Sequence, residues 1–338
     1  MRVVVVSFAA LALAVAPART AAVAPGAVEV LHAVAALPAH IAGRFEDPIG
    51  FVRARTGESV VLDRRAHAVY TIDATQTAAR RVLQVGFEQG RIVGPGVLAM
   101  SRDDIFAVAD APNGLERIQY FDLDGLLLGG FYTQARIARH VMADGRVLNG
   151  VGSMSFTGRT FLVSRPDAGA LFSELDNRGV ALRQIGTLRP TSQESDRDVH
   201  EALNAGWPIA DPAGGYYFVF AAGVPMFRKY DAAGTLLFER HIEGPELDVE
   251  IQRLPASWPR RPDGGAPVME PLVRATAVDA GGGLWISLAP GVTYVYDRHG
   301  EKTRTVQFKG ATVVAPLSLF FAGDRLLVTP GCYEFAWR

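Results

Sequence analysis

One short pattern constrains this chain more than any other: an aromatic or aliphatic residue, then Asp, two variable residues and Gly. It occurs as Phe121-Asp122-Leu-Asp-Gly125, Leu175-Asp176-Asn-Arg-Gly179, Tyr230-Asp231-Ala-Ala-Gly234 and Tyr296-Asp297-Arg-His-Gly300, with a copy lacking the glycine at Ile72-Asp73-Ala-Thr-Gln76. Asp at the first turn position can accept a hydrogen bond from the backbone two residues on, and Gly at the fourth takes a φ that other residues resist, so each copy reverses the chain between two strands. The aspartates stand at 73, 122, 176, 231 and 297, giving intervals of 49, 54, 55 and 66 residues. That is the period of a four-stranded sheet with its loops, not of a single hairpin, and a regular period of this length marks a repeat array. Stacked repeats form one continuous unit, which overrides the two domains that 338 residues would otherwise allow.

The strands can be read off around each turn. The first unit uses segments near 50–54, 59–63, 68–73 and 80–85, and the second those near 96–100, 105–110, 117–122 and 126–131. Units three, four and five repeat the arrangement to residue 308, with Tyr216-Tyr-Phe-Val-Phe220 and Leu284-Trp-Ile-Ser-Leu288 as apolar second strands. The sixth supplies Leu317–Phe321, Arg325–Thr329 and Tyr333–Trp337 before the chain stops, one strand short. The spare segment Val28–Ala36 ahead of the first unit fills that gap, since an isolated strand needs a sheet and a closed ring hides sheet edges. The expected fold is all-β: a six-bladed β-propeller over residues 25–338, with four-stranded antiparallel blades and an N-terminal strand completing the last. An open sandwich is the alternative, and it would leave the period to accident.

The second unit also carries a motif. Val108-Ala-Asp110-Ala-Pro-Asn113-Gly-Leu-Glu-Arg117-Ile-Gln-Tyr-Phe121-Asp-Leu-Asp-Gly125 resembles the repeat of the NHL family of β-propellers, V-A-D-x-x-N-x-R-I-Q-x-F-x-x-x-G, with two extra residues between Asn113 and Arg117. Elsewhere only the spacing persists, and the Asp-x-x-Asn turn is replaced by Asp63-Arg-Arg-Ala66, Arg165-Pro-Asp-Ala168 and Ala289-Pro-Gly291. The resemblance implies a platform that binds ligands or proteins, or an enzyme of the metal-dependent lactonase, strictosidine-synthase-like or peptidyl amidoglycolate lyase kinds. For a lactonase-like ion site it points to Glu46, Asn149 or Asn204, and Asp110. For a zinc lyase it points to His67, His140 and His200.

Composition narrows the partners. A net charge of −1 without a sustained basic block gives no electrostatic reason to expect nucleic acid or an anionic membrane surface. Arg2, the apolar run Val3–Ala16 and small residues through Ala24 read as a secretory signal over residues 1–24, too short for a membrane span. The expected location is therefore periplasmic or extracellular. Cys332 is the one cysteine, so no internal disulfide can form, and its flanks mark it as a small buried residue rather than a catalytic thiol.

Chemistry is expected at one mouth of the central channel, where fourth-to-first and second-to-third strand connections converge. The turns there present Asp63 and His67, Asp110 and Asn113, and Arg165, while the approaches to inner strands add Glu46, Arg139 and His140. Two long connections bring Asp196 and His200, spaced with Asn204 along one face of a short helix opening at Thr191-Ser-Gln-Glu194, and Glu270 with Arg274. Carboxylates, amides and imidazoles of this kind could hold one divalent ion, Ca²⁺ or Zn²⁺, or position a substrate. The bland alternative for Asp110 and Asn113 is that Asx residues satisfy turn backbone. HExxH, Gly-x-Ser-x-Gly, P-loop, CxxC and dinucleotide fingerprints are absent from the sequence. The leading expectation is an exported propeller that binds a small molecule or protein. The others are a metal-dependent hydrolase, lactonase or lyase, and a structural scaffold.

Overall fold

The computed structural model describes residues 27–133, 150–260 and 267–338. Strand β1 (Val28–Ala36) and the single turn α1 (Ala39–Ala42) precede the first blade: β2 (Pro48–Arg53), β3 (Ser59–Asp63), β4 (Ala68–Ile72) and β5 (Ala79–Leu83). The second blade is β6 (Val97–Met100), β7 (Phe106–Asp110), β8 (Arg117–Phe121) and β9 (Leu127–Tyr132); the third is β10 (Gly150–Phe156), β11 (Phe161–Ser164), β12 (Ala170–Leu175) and β13 (Ala181–Thr187). Helix α2 (Arg197–Leu203) leads into the fourth, β14 (Gly206–Ala210), β15 (Tyr216–Phe220), β16 (Met226–Tyr230) and β17 (Leu236–His241). Helix α3 (Pro245–Gln252) leads towards the fifth, β18 (Val273–Val278), β19 (Leu284–Leu288), β20 (Thr293–Tyr296) and β21 (Lys302–Lys309), against which the two-residue β22 (Val313–Val314) pairs. The last strands are β23 (Ser318–Ala322), β24 (Arg325–Thr329) and β25 (Tyr333–Ala336).

Blades one to four are separate four-stranded antiparallel sheets in strand order, and the remainder forms one nine-stranded sheet joined through β1. Strand β1 does more than complete the last blade. Its first half, Val28 to His32, runs parallel to Thr305–Lys309 of β21, and after a shift at Ala33 its second half runs antiparallel to β25. One strand thus covers the outer edges of two blades and ties the start of the chain to its end.

Side-chain alternation along the strands explains the closure. On a strand, successive residues face opposite sides, so Val60 and Leu62 of β3 pack towards blade two while Val61 packs towards the last blade. Six such inter-blade cores exist among the described residues, one at each junction, including the last-to-first junction built from Phe51, Val61, Ile72, Leu327 and Cys332. Second strands are sandwiched on both faces, which is why β7 and β15 are largely apolar along their length, while the similarly buried third strands β8 and β16 also carry Arg117, Arg228 and Lys229. Each buried Phe or Leu contributes about 1.5–3 kcal/mol. The result is a β-propeller.

The repeated turns behave as their chemistry dictates. Asp231 Oδ1 accepts from the amides of Ala233 at 2.9 Å and Thr235 at 2.8 Å, and Gly234 sits at φ 88°. Asp122, Asp176 and Asp297 make the same pair of bonds, to the second and fourth residues on. The glycine has a second reason to be there: a Cβ on Gly179 would lie 2.3 Å from the Phe131 ring of the preceding blade's outer strand. No helix among the described residues is long and apolar enough to cross a membrane.

Candidate functional site

All six innermost strands open onto one cavity of about 470 Å³, within the roughly 300–1,000 Å³ range of small-molecule sites. Each contributes wall residues: Ile49, Leu98, Ser153 with Met154, Trp207, Thr276, and Ser318 with Leu319. The second-to-third strand connections add Arg64, Asp110 and Glu116. The cavity therefore lies at the mouth expected from the topology, where inner strands begin and second strands end. Its wall mixes apolar side chains with hydroxyls, an indole and charges of both signs.

Most of the charged groups are already engaged. Asp110 is 2% exposed and takes a two-pronged bond from Arg117, Nε to Oδ1 at 2.9 Å and Nη2 to Oδ2 at 2.6 Å, while the Val93 amide donates to Oδ2 at 2.9 Å. Arg117 is itself held by the carbonyls of Phe87, Glu88 and Arg91. Burial opposes its charge, but the Asp110 hydrogen bonds and charge prevail and raise its pKa above the usual arginine value. Asp110 is thus a wall of the cavity fixed by its partner, not a free ligand. Arg64 Nε donates to Asp47 Oδ2 at 2.8 Å. Glu116 Oε2 accepts from Thr133 Oγ1 at 3.1 Å. Ser153 Oγ donates to the Gly150 carbonyl and accepts the Ser164 amide, so it is a fixed joint between two strands.

Thr276 differs. Its Oγ1 is buried at the cavity wall and has no hydrogen-bond partner among the described residues. A hydroxyl left in this state costs about 1–3 kcal/mol, and such exceptions in a native fold call for a reason.

The sequence-derived candidates separate into three groups. Asp110 and Arg274 line the cavity. His67 Nδ1 accepts from the Gly94 amide at 3.2 Å, bridging blade one to the cavity's Gly94–Gly96 rim, with its own backbone at φ 46°. Asp63 is fully buried but serves structure, accepting from the amides of Glu46 at 2.6 Å, Asp47 at 3.1 Å and Ala66 at 3.1 Å. Glu46, Asn113 and Glu270 are exposed and do not line the cavity, and Asn113 occupies a left-handed turn position at φ 52°. Arg165 pairs with its neighbour Asp167 at 3.0 Å. Arg139, His140 and Asn149 lie outside the described residues.

The helical stripe Asp196, His200 and Asn204 does not form a joint site. Asp196 caps α2 through the Val199 amide at 3.3 Å and accepts from Arg260 at 2.6 and 2.7 Å. His200 Nδ1 bonds Thr191 Oγ1 at 2.7 Å, and Asn204 closes a reciprocal pair with the Arg189 backbone. The helix begins at Arg197, not at Thr191; Glu194 does reach back to the Thr191 amide at 2.7 Å, but it closes a turn ahead of the helix. No group of three His, Cys, Asp or Glu side chains among the described residues could hold a metal ion.

Trp207, Met154, Thr276 and Ser318 escaped the sequence reading because they sit inside strands whose pattern is ordinary. A polar or aromatic residue on an innermost strand is the signal that would have found Trp207, Thr276 and Ser318; Met154 carries no such mark.

No family model matches the chain. No curated protein matches it either. Among solved structures, the PQQ-bound aldose sugar dehydrogenase from Streptomyces coelicolor superposes with a TM-score of 0.50 at 12% identity, over 93% of this chain and 98% of that one. Virginiamycin B lyase from Staphylococcus aureus gives 0.48 at 11% identity, over 84% of this chain and 77% of that one. A protein of unknown function from Bacteroides caccae gives 0.45 at 12% identity, over 77% and 81%. At such identities the dehydrogenase likeness is one of fold, and it agrees with the sheet order: the chain has a β-propeller fold.

Proposed function

We propose that this chain is a binding β-propeller that receives a small polar molecule, or the projecting side chains of a protein partner, in the cavity at its inner-strand mouth. The observation that carries the reading is the convergence of six inner strands on one cavity of about 470 Å³ whose wall keeps Thr276 Oγ1 unpartnered. Trp207 supplies a stacking surface there and a fluorescent reporter. The units are read as diverged copies of an NHL-type repeat, of which blade two keeps the motif. Residues 1–24 are read as an export signal, which N-terminal sequencing of the protein recovered from a secreting host would test.

The experiment is a fluorescence and calorimetric screen of small polar metabolites on the wild type and on Gly96→Phe. Gly96 lines the cavity, its backbone is not left-handed, and a Cβ there meets nothing within 4 Å, so a phenyl ring can occupy the space at little cost to folding. A ligand that binds the wild type and not a stably folded G96F supports the reading; equal binding to both overturns it. Elemental analysis of the same preparation tests the competing metal-dependent hydrolase or lyase, since retention of stoichiometric Ca or Zn would favour that reading.

A further inference from the structure

A second cavity, of about 550 Å³, lies between the connection that carries α2 and the one that carries α3, and no residue lines both it and the channel. Two of its lining side chains are arginines almost removed from water, Arg189 and Arg228, each 8% exposed. Both guanidinium groups lie over the Phe220 ring, their carbons 4.2 and 5.4 Å from its centroid. Arg228 has a counter-charge, Glu239, whose Oε2 accepts from Nε at 2.5 Å. Arg189 has none. Its Nη1 donates to the Val224 carbonyl at 2.7 Å and its Nη2 to those of Leu203 at 2.9 Å and Ala222 at 2.8 Å. Nε is left without an acceptor among the described residues.

Among the described residues, two fixed cations and one carboxylate leave one positive charge uncompensated in a desolvated place. Burial and then repulsion from Arg228 bring the Arg189 pKa down to about 10, against the partial support of Glu239. A structural arginine needs only its carbonyl acceptors, but a buried charge without a counter-ion is costly, and it is stabilised by an anion that can enter beside it. The rest of the wall selects what accompanies that anion. Val224, Met226, Leu254 and Trp258 present apolar surface.

We propose that this cavity binds an organic monoanion, a carboxylate joined to an apolar body, with Arg189 as its counter-charge. The site is separate from the channel and does not depend on what binds there.

Octanoate, its neutral analogue octanamide, and inorganic phosphate are the probes, titrated against the full chain by calorimetry and by Trp fluorescence. Octanoate is expected to bind saturably and to raise Tm, octanamide to bind on the order of tenfold more weakly or not at all, and phosphate not to compete. Glu239→Gln removes the carboxylate that competes with an incoming anion for these cations and is expected to tighten octanoate binding by roughly tenfold, while Arg189→Met separates the part of Arg189 from that of Arg228. Arg189→Met abolishes binding if it folds; if it does not fold, E239Q and Trp258→Ala, which weakens octanoate by removing apolar wall, decide the matter. Equal affinity for acid and amide, equal affinity for phosphate, or unchanged affinity in E239Q and W258A each overturns the proposal.

Discussion

Arg53 and Glu334 stand 281 positions apart in sequence and meet in a two-pronged salt bridge, Nη2 to Oε1 at 2.5 Å and Nη1 to Oε2 at 3.0 Å. Arg53 closes the innermost strand of blade one and Glu334 lies on β25, so the pair locks the junction at which the ring closes. Glu334 is 5% exposed and has one further donor, Gln76 Nε2 at 3.3 Å. Removing the cation from a buried carboxylate costs more than the pair itself contributes. Arg53→Ala is therefore expected to destabilise the protein by about 2–4 kcal/mol in urea unfolding. A loss below 0.5 kcal/mol, the scale of surface pairs, would show that the junction is held by its apolar core alone.

The same carboxylate sets a pH dependence. Burial pushes the Glu334 pKa up, but the hydrogen bonds and charge of Arg53 outweigh it and hold it below the usual glutamate range. A depressed folded-state pKa adds stability above the unfolded value, near 4.3, and that contribution is lost as the pH falls through the folded value. Glu334→Gln should lower Tm at pH 7 while shrinking the further drop between pH 5 and pH 3. An acid limb as steep as that of the wild type would place the acid sensitivity elsewhere.

The repeat glycine Gly179 and Gly169, which ends the connection between β11 and β12, separate two physical roles. Gly169 and Gly179 have nearly the same φ, 80° and 82°, but a Cβ on Gly169 meets nothing within 4 Å while one on Gly179 meets the Phe131 ring at 2.3 Å. Gly169→Ala pays only the left-handed cost, about 1 kcal/mol. Gly179→Ala adds overpacking between blades two and three and should cost about 2–4 kcal/mol. Equal losses in chemical denaturation would mean that the repeat glycine serves the turn alone.

The architecture was legible because its signals are local and repeated. The Asp231 turn needs only its own five residues, and the β3 run Val60-Val61-Leu62 announces burial on both faces. The span Val28–Ala36 was readable as a strand by its missing partner, yet its parallel pairing with β21 was not, since nothing in either segment distinguishes an outer edge shared by two blades. The site was less legible for a physical reason. Asp63 and Asp110 are the residue type that chemistry would use, but the fold consumes them as acceptors for backbone amides and for Arg117. The groups that do face the cavity, Trp207 and Thr276 among them, come from different blades and become neighbours only when the innermost strands pack around the channel.

Cys332 is 1% exposed inside the last-to-first core, and its thiol is pushed up to about 12, by burial above all and by the charge of Asp63. Thiolate, not thiol, is the nucleophile. Native protein at pH 8 should therefore leave Ellman's reagent unreacted over hours, and unfolding in guanidinium should release one reactive thiol per chain. Rapid labelling of the folded protein would contradict both the burial of this residue and the closure of the junction around it.

Thr276 links stability to binding with opposite signs. Thr276 lines the cavity with its Oγ1 buried and without a partner among the described residues, and it lies opposite Ile286 in the β18–β19 ladder, so its backbone is fixed independently of the hydroxyl. Thr276→Val replaces that hydroxyl with a methyl group of similar size and removes the cost of an unsatisfied polar atom. If the hydroxyl serves only the fold, the change should be neutral or should stabilise by about 1 kcal/mol, and nothing else should alter. If it awaits a ligand, the same variant gains stability and loses roughly tenfold in affinity for whatever the channel binds, because a donor on the ligand then enters the cavity unmatched. Thermal unfolding and calorimetry on one preparation measure both quantities. A variant that loses stability refutes the unpartnered state of Oγ1, and one that gains stability with unchanged affinity removes Thr276 from the binding site while leaving the cavity itself to be tested by Gly96→Phe.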